Sequence, residues 1–154
     1  RELKGAFPQA EIAAVGTNST AANAMMKAGA DFAATGENAV VVNCRHADII
    51  VGAVGIVIAD SMWGEITPRM AQAVGQSDAR RVLIPINLCS NLVVGVSEMS
   101  MSKLVQAAVD TVRRLTEKKG NSAPSRLAAG GVFLRAGIGN EVLGNSWNRR
   151  CALS

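Results

Sequence analysis

The sequence predicts an α/β fold in which helices flank a parallel sheet. Short apolar runs alternate with segments of helical periodicity along most of the chain, and polar turns follow several of these runs. Since buried parallel strands are near-continuous apolar runs joined by helical crossovers, this alternation is typical of an open α/β sheet. The 154 residues, 49% of them hydrophobic, are enough to bury one core and exclude wholesale disorder.

The N-terminal part predicts the end of a helix followed by one strand–helix unit. Residues 1–7 carry apolar side chains at helical spacing, and Pro8 stops that run. Glu11–Val15 is a short apolar run that ends at Gly16, as a buried strand does. Residues 17–20 then supply polar N-cap side chains for the helix that follows.

The next segments predict two more strands with a helix between them. Asp31–Thr35 is a second short strand, and residues 36–38 cap a helix over Ala39–Arg45. The valines of that helix favour a strand, but two parallel strands need a crossover between them. Asp48–Val54 is an apolar strand, and Gly55–Asp60 begins the next crossover.

The C-terminal half of the domain repeats this alternation. Thr67 and the proline after it predict the start of a helix over Pro68–Val74. Arg81–Ile86 is a buried strand, and the β-branched segment Leu92–Val96 predicts an edge strand. Ser102–Thr116 has the clearest helical periodicity in the chain.

The pattern divides the chain into a Rossmann-like domain over 1–119 and a tail over 120–154. The tail begins with linker-like residues and has neither helical nor strand periodicity, which predicts an unstructured, low-order segment. Because residues 1–7 resemble the end of a helix, we expect the domain to be truncated at its N-terminus, with a preceding strand absent. The exposed edge beside that strand would favour self-association.

Composition and charge exclude several classes of partner. The net charge of +4 resides mostly in the tail, which holds four arginines and one glutamate. Without a basic stripe, and with only 3% aromatic residues, the chain is not expected to bind nucleic acid. No apolar run reaches the roughly 18 residues of a membrane span, and the first residues show no signal-peptide pattern. These observations predict a cytoplasmic protein without membrane contact.

Cysteine and histidine give no sign of a metal or catalytic centre. Cys44, Cys89 and Cys151 match neither a zinc pattern nor a disulfide framework, and are typical of free thiols in a reducing compartment. The single histidine, His46, lies at the end of a predicted helix, and the sequence has no nucleophile elbow to pair with it. We therefore expect no metal site, and the catalytic residues, if any, stay unknown.

The predicted ligand site is the edge at which the parallel strands end. Four small or amide-rich segments follow predicted strands there. Glycine lets a ligand approach the backbone, helix N-termini favour anions, and asparagine suits ribose hydroxyls or a base edge. Such residues are also common at ordinary caps and turns. The candidate ligand-binding residues are Gly16, Thr17, Asn18, Ser19, Gly36, Glu37, Asn38, Gly52, Gly55, Asn87 and Asn91.

Three carboxylates lie near this predicted edge, those of Glu37, Asp60 and Glu65. Any of them could act as a general base, but the sequence shows no partner for one. Glu65 comes just before the cap at Thr67, where a carboxylate also complements the helix dipole. The six methionines are expected to fill the core.

A dinucleotide site needs two features that the sequence does not supply. One is a glycine-rich loop after the first strand, and no such strand and loop precede Arg1. The other is an acidic residue at the end of the next strand, where this chain has Gly16–Asn18. The glycine pair at 137 and 139 follows no convincing strand. Both observations weaken an NAD or NADP hypothesis.

Three stretches resemble an uncharacterised family of small bacterial proteins found largely in Firmicutes, the domain-of-unknown-function family three-eight-four-two. They are AVGTNSTAANAMMKAGA, ATGENAVVVNCRHADIIVGAVGIVIADSMWGEITPRMAQAV and RVLIPINLCSNLVVGV, in the family's order, and the resemblance covers about 11–115. The resemblance implies a Rossmann-like domain whose usual start is a hydrophobic strand and a glycine-rich turn. It implies that Arg1–Phe7 ends the helix after that turn, and it carries no established activity.

Three functions stay open from the sequence. The first is binding of a nucleotide, a dinucleotide or another small anionic ligand at the carboxyl edge of the sheet. The second is an NAD(P)-dependent oxidoreductase, and the third is a structural or regulatory protein without a ligand. The lack of a catalytic constellation favours the first hypothesis over the second.

Overall fold

The backbone forms a mixed sheet with helices on both of its faces. The computed structural model describes residues 1–86, 91–96 and 99–117, and the backbone of 129–130 and 132–136. A 3₁₀ turn, Val54–Val57, follows the third strand. The other elements are α1 (Glu2–Ala6), β1 (Ala10–Gly16), α2 (Ser19–Lys27), β2 (Phe32–Thr35), α3 (Glu37–Cys44), β3 (Ile49–Ala53), α4 (Pro68–Gln76), β4 (Arg80–Ile84), α5 (Met101–Glu117), β5 (Ala129–Gly130) and β6 (Val132–Ala136).

Two parallel strand pairs build the sheet. β1 pairs with β2, and β3 pairs with β4, both in parallel. The order across the sheet is β2-β1-β6-β3-β4, with β6 antiparallel to both of its neighbours. β1 and β3 therefore run in the same direction, so the carboxyl ends of all four parallel strands meet at one edge. The predicted α/β class, with parallel strands flanked by helices, is confirmed.

β6, the central strand, lies in the segment 120–154, for which the sequence predicts no helix or strand. β6 hydrogen-bonds to β1 on one side and to β3 on the other, and β5 pairs with Ala14 and Val15 of β1. A position between two strands offers backbone partners on both sides, so it can order a segment that has no strand pattern of its own. The rest of the predicted tail lies outside the described residues.

Local signals place the helices where the sequence predicts them. The Asn18 side chain accepts a hydrogen bond from the backbone N–H of Ala21 and so caps α2. Thr67 caps α4 in the same way, and Pro68 occupies the first turn. Both caps satisfy N–H groups that have no partner inside the helix. The valine-rich segment of α3 is a helix, as the crossover requirement predicts.

The core lies in two layers, one on each face of the sheet. On one face, α3 and α4 cover Val15 and Ile50; on the other, α5 covers Ile12, Ile49 and Val51. Ile49 and Val51 face one layer and Ile50 the other, because successive strand side chains alternate. Ile50 and Val112 are completely buried. Since both faces are covered, β3 is apolar throughout.

The predicted edge strand at Leu92–Val96 is wrong. The segment is an exposed turn region, with Leu92 93% and Val94 98% exposed. Preference for β-structure reflects fit to a half-buried pleated surface, and this segment packs on none. Within the described part of the chain, no helix is long and apolar enough to cross a membrane.

Candidate functional site

The ends of β1 and β3 line a cavity at the carboxyl edge of the sheet, which we call the crevice. β6 pairs only with the earlier part of each of these strands. Val15, Gly16, Gly52 and Ala53 line the crevice, whose volume is about 570 Å³. From this edge, the connection after β1 leads outward to β2 on one side of the sheet, and the connection after β3 leads outward to β4 on the other side. Ligands of open α/β sheets bind where two such connections diverge. The volume is also in the usual range for small-molecule sites, roughly 300–1,000 Å³.

The floor of the crevice is apolar. Val40 of α3, Met70 of α4 and the buried side chains of Ile56 and Ile66 line it. Met62 adds a flexible thioether to the same wall. Apolar walls of this kind bury the flat or aliphatic part of a ligand.

The rim of the crevice carries a polar cluster made of Thr17, Asn18 and Glu65. The Thr17 hydroxyl donates to one carboxylate oxygen of Glu65 at 2.7 Å, and the Asn18 amide donates to the other at 3.3 Å. The residues are 48 and 47 positions apart in the chain, so only the fold brings them together. We call these three residues the rim cluster.

The connection from β1 to α2 is short and closely packed. A Cβ added at Gly16 would lie 2.9 Å from both the backbone nitrogen of Ala22 and the carbonyl oxygen of Asn18. Only glycine fits this approach without movement of the backbone. The turn places Thr17 and Asn18 at the rim while Asn18 also caps α2.

The connection from β3 to α4 is long and holds an unusual backbone. Asp60, Met62 and Trp63 have φ angles of 60°, 54° and 60°. Each left-handed residue other than glycine costs about 1–2 kcal/mol, and such residues persist where surrounding contacts determine them. The buried Ser61 hydroxyl supplies one such contact, since it donates to the carbonyl oxygen of Gly55 at 2.6 Å. The connection ends with Glu65 at the rim.

A second polar cluster joins α3 to α4 at the same edge. The Thr67 hydroxyl donates to Glu37 at 2.6 Å, and Arg69 lies 3.4 Å from the other oxygen of that carboxylate. Gly36, with a φ of 93°, makes the turn into α3 that a side chain would disfavour. These contacts hold the two helices together and lie outside the lining of the crevice.

The structure brings some of the predicted site residues together and separates others. Gly16, Thr17, Asn18 and Gly52 line the crevice. Asn87 lies outside the described residues. The remaining predicted residues are described but are absent from the lining: Ser19, Gly36, Glu37, Asn38, Gly55 and Asn91.

Sequence reasoning missed most of the apolar lining and left the place of Glu65 open. Met62 and Met70 were expected as core, and both line the crevice. Glu65 was interpreted either as a general base or as a partner of the helix dipole, whereas its hydrogen bonds run to Thr17 and Asn18. No spacing in the sequence signals these contacts, because they join two distant connections.

The thiol and histidine do not form a catalytic centre in the described part of the chain. Cys44 is buried and free, and burial raises the pKa of its thiol to about 12. It therefore stays protonated near neutral pH and is a poor nucleophile. Cys89 and Cys151 lie outside the described residues. His46 is exposed directly after α3, and the described residues contain no cluster of metal-ligating side chains.

Comparison with known families assigns most of the chain to one family. A family model, Domain of unknown function (DUF3842), matches residues 1–117. The chain belongs to this family. The matched part of the DUF3842 domain contains the crevice, the rim cluster and both connections that form it. No curated protein and no solved structure matches the chain.

Proposed function

We propose that the crevice of this DUF3842 domain binds a nucleotide or a similar small ligand. The observation that carries the proposal is the cavity between the ends of β1 and β3, with an apolar floor and a polar rim. Nucleotides combine a flat ring with hydroxyl and phosphate groups, and this pairing of surfaces matches both parts.

The geometry supports a particular orientation of the ligand. The ring would lie against Ile56, Ile66 and Met70, which are buried and apolar. The sugar would lie at the rim cluster, which offers hydroxyl, amide and carboxylate groups. A phosphate would lie away from the rim cluster, because the Glu65 carboxylate already lies beside Asn18, the N-cap of α2. Arg1 and Glu2 also line the crevice, and their opposite charges offset each other there.

An NAD(P)-dependent oxidoreductase is the second candidate. Dinucleotide sites often hold an acidic group at the end of the second strand, and the sequence has none at Gly16–Asn18. The Glu65 carboxylate at 2.7 Å from Thr17 supplies such a group from another connection. This contact favours a ribose-containing ligand without identifying a reaction. A reducing bacterial cytoplasm fits the same proposal, because the buried Cys44 is a free thiol.

Titration of the full chain with AMP, ATP, NAD and NADP tests the proposal. Calorimetry gives the affinities, and NMR shows whether the amides of Thr17 and Gly52 shift on binding. The decisive variant is Ala21→Phe, because Ala21 lines the crevice and a phenyl ring there would fill part of it. We expect the affinity to fall at least about tenfold, since a bulky side chain removes ligand contacts.

The matched control is Ala24→Phe on the same helix. Ala24 is exposed and does not line the crevice, so this variant should bind like the original chain. Circular dichroism would show that both variants keep their helices. If no ligand binds the original chain, or if both variants weaken binding equally, the crevice is not the binding site and the structural or regulatory hypothesis gains weight.

A further inference from the structure

We infer that Glu65 recognises the cis-diol of a ribose-type ligand. The inference rests on the proposed function and names the group that would select the sugar. Its starting point is the position of the Glu65 carboxylate, which lies beside the end of β1 although Glu65 belongs to the connection after β3. An acidic side chain thus reaches the strand end where the local sequence has none.

Two hydrogen bonds reach the carboxylate of Glu65, and a backbone hydrogen bond closes the connection that carries this residue. Thr17 donates to Oε2 and Asn18 donates to Oε1, and the second residue is itself fixed as the N-cap of α2. On the other side, the backbone N–H of Asp60 donates to the carbonyl of Ile66 at 2.8 Å and closes the connection just beyond Glu65. The connection therefore presents Glu65 at the rim, where two hydrogen bonds join its carboxylate to Thr17 and Asn18.

The carboxylate keeps capacity for two more donors. A carboxylate has about four acceptor positions on its two oxygens. Thr17 and Asn18 use one on each oxygen. Glu65 is exposed at the rim and forms no ion pair among the residues that the structure describes. Two adjacent hydroxyl groups, one for each oxygen, match the remaining positions.

The same geometry disfavours a phosphate at that position. A phosphate on the 2′-oxygen would place negative charge next to Glu65 and would remove one hydroxyl donor. The crevice should therefore prefer a free diol over a 2′-phosphorylated or 2′-deoxy sugar. Charge selects the ligand here through repulsion as well as through attraction.

The test compares adenosine with 2′-deoxyadenosine by calorimetric titration into the full chain, the Glu65→Gln variant and a Glu117→Gln control. Glu117 is an exposed glutamate at the end of α5, and it does not line the crevice. We expect the original chain and the control to prefer adenosine at least about tenfold, since a hydrogen bond to a charged group is lost with the 2′-hydroxyl. In Glu65→Gln the preference should fall to about threefold or less, because the acceptor is no longer charged.

The outcomes separate this inference from the proposed function. If both nucleosides bind the original chain equally and Ala21→Phe weakens both, the crevice is the site but Glu65 does not read the diol. If the preference for adenosine persists in Glu65→Gln, the inference is also overturned. If neither nucleoside binds the original chain, the inference fails, and the titrations with AMP, ATP, NAD and NADP decide the proposed function separately. A melting temperature of Glu65→Gln close to that of the control shows that the variant is folded.

Discussion

Two connections meet at the crevice, and they are built in opposite ways. The connection from β1 to α2 consists of Thr17 and Asn18, and its shape follows from one glycine and one N-cap. The connection from β3 to α4 covers residues 54–67 and has three left-handed residues that are not glycine. Thr17 and Asn18 of the short connection and Glu65 of the long connection form the rim cluster. The difference shows that the local sequence specifies the short connection, whereas contacts between distant residues hold the long connection in place.

The largest expected effect concerns the short connection. In Gly16→Ala, the new Cβ would lie 2.9 Å from two backbone atoms, which cannot move as a side chain can. We expect a loss of about 2–3 kcal/mol in the free energy of unfolding, the upper part of the range for overpacked sites. Urea denaturation followed by circular dichroism measures it.

Gly75→Ala is the control for this glycine. Gly75 lies in α4 with open space around its missing Cβ, so alanine should stabilise the helix by about 0.5–1 kcal/mol. Equal stability of Gly16→Ala and the original chain would show that the short connection can rearrange.

A slightly smaller effect is expected in the long connection. Ser61→Ala removes the buried hydroxyl that donates to the carbonyl oxygen of Gly55, which keeps the hydrogen bond from the backbone N–H of Ile58. Because the acceptor stays satisfied, only the net value of one hydrogen bond is lost, and we expect a loss of about 1–1.5 kcal/mol. Ser19→Ala, at an exposed position in the first turn of α2, should change stability by less than about 0.5 kcal/mol. A similar loss in both variants would argue against a special role for the Ser61 contact.

The core beneath the long connection predicts a dependence on pH. Cys44 belongs to the same apolar cluster as Ile56 and Ile66, and burial raises the pKa of its thiol from an ordinary value of 9.0 to about 12. The unfolded chain therefore loses this proton first, and stability falls as the pH rises from about 9 toward 12. At pH 10 the contribution lost is about 1 kcal/mol.

Cys44→Ala isolates that dependence. Urea denaturation between pH 7 and 10 should show a smaller decline for Cys44→Ala than for the original chain, with both measured under reducing conditions. Parallel declines would mean that the thiol does not titrate differently in the folded and unfolded states.

The smallest effect tests the strained backbone of the long connection. Trp63 is fully exposed and has a φ of 60°, so Trp63→Gly relieves a left-handed conformation without removing a buried side chain. Relief of about 1–2 kcal/mol is partly offset by the flexibility of glycine in the unfolded chain, which leaves a gain of about 0.5 kcal/mol. Thermal melting followed by circular dichroism measures the gain.

Leu92→Gly is the matched comparison for Trp63→Gly. Leu92 is also an exposed apolar residue, but its backbone is not among those with positive φ. It should gain nothing from glycine. If both substitutions stabilise the chain equally, the gain comes from removal of an exposed apolar side chain and the backbone at Trp63 is not strained.

Much of the fold could be predicted because its signals are local. The apolar run of β3 and the caps at Asn18 and Thr67 each specify an element through neighbours within a few residues. Even α3, whose valines favour a strand, could be predicted because parallel strands require a crossover. The positions of Gly16, Thr17 and Asn18 could be predicted in the same way, because these residues lie between the end of β1 and the beginning of α2.

Other features are decided by partners distant in the chain. Leu92–Val96 has strand propensity but no strand to pair with, whereas β6 lacks the pattern and is ordered between two strands. Glu65 reaches Thr17 across 48 positions, and the apolar floor joins α3, α4 and the long connection. Local sequence specifies most of the helices, the strands β1 to β4 and the short connection, because hydrogen bonds and caps act over a few residues. The central strand and the rim cluster depend on the folded chain, because backbone pairing and side-chain contacts between distant segments exist only there.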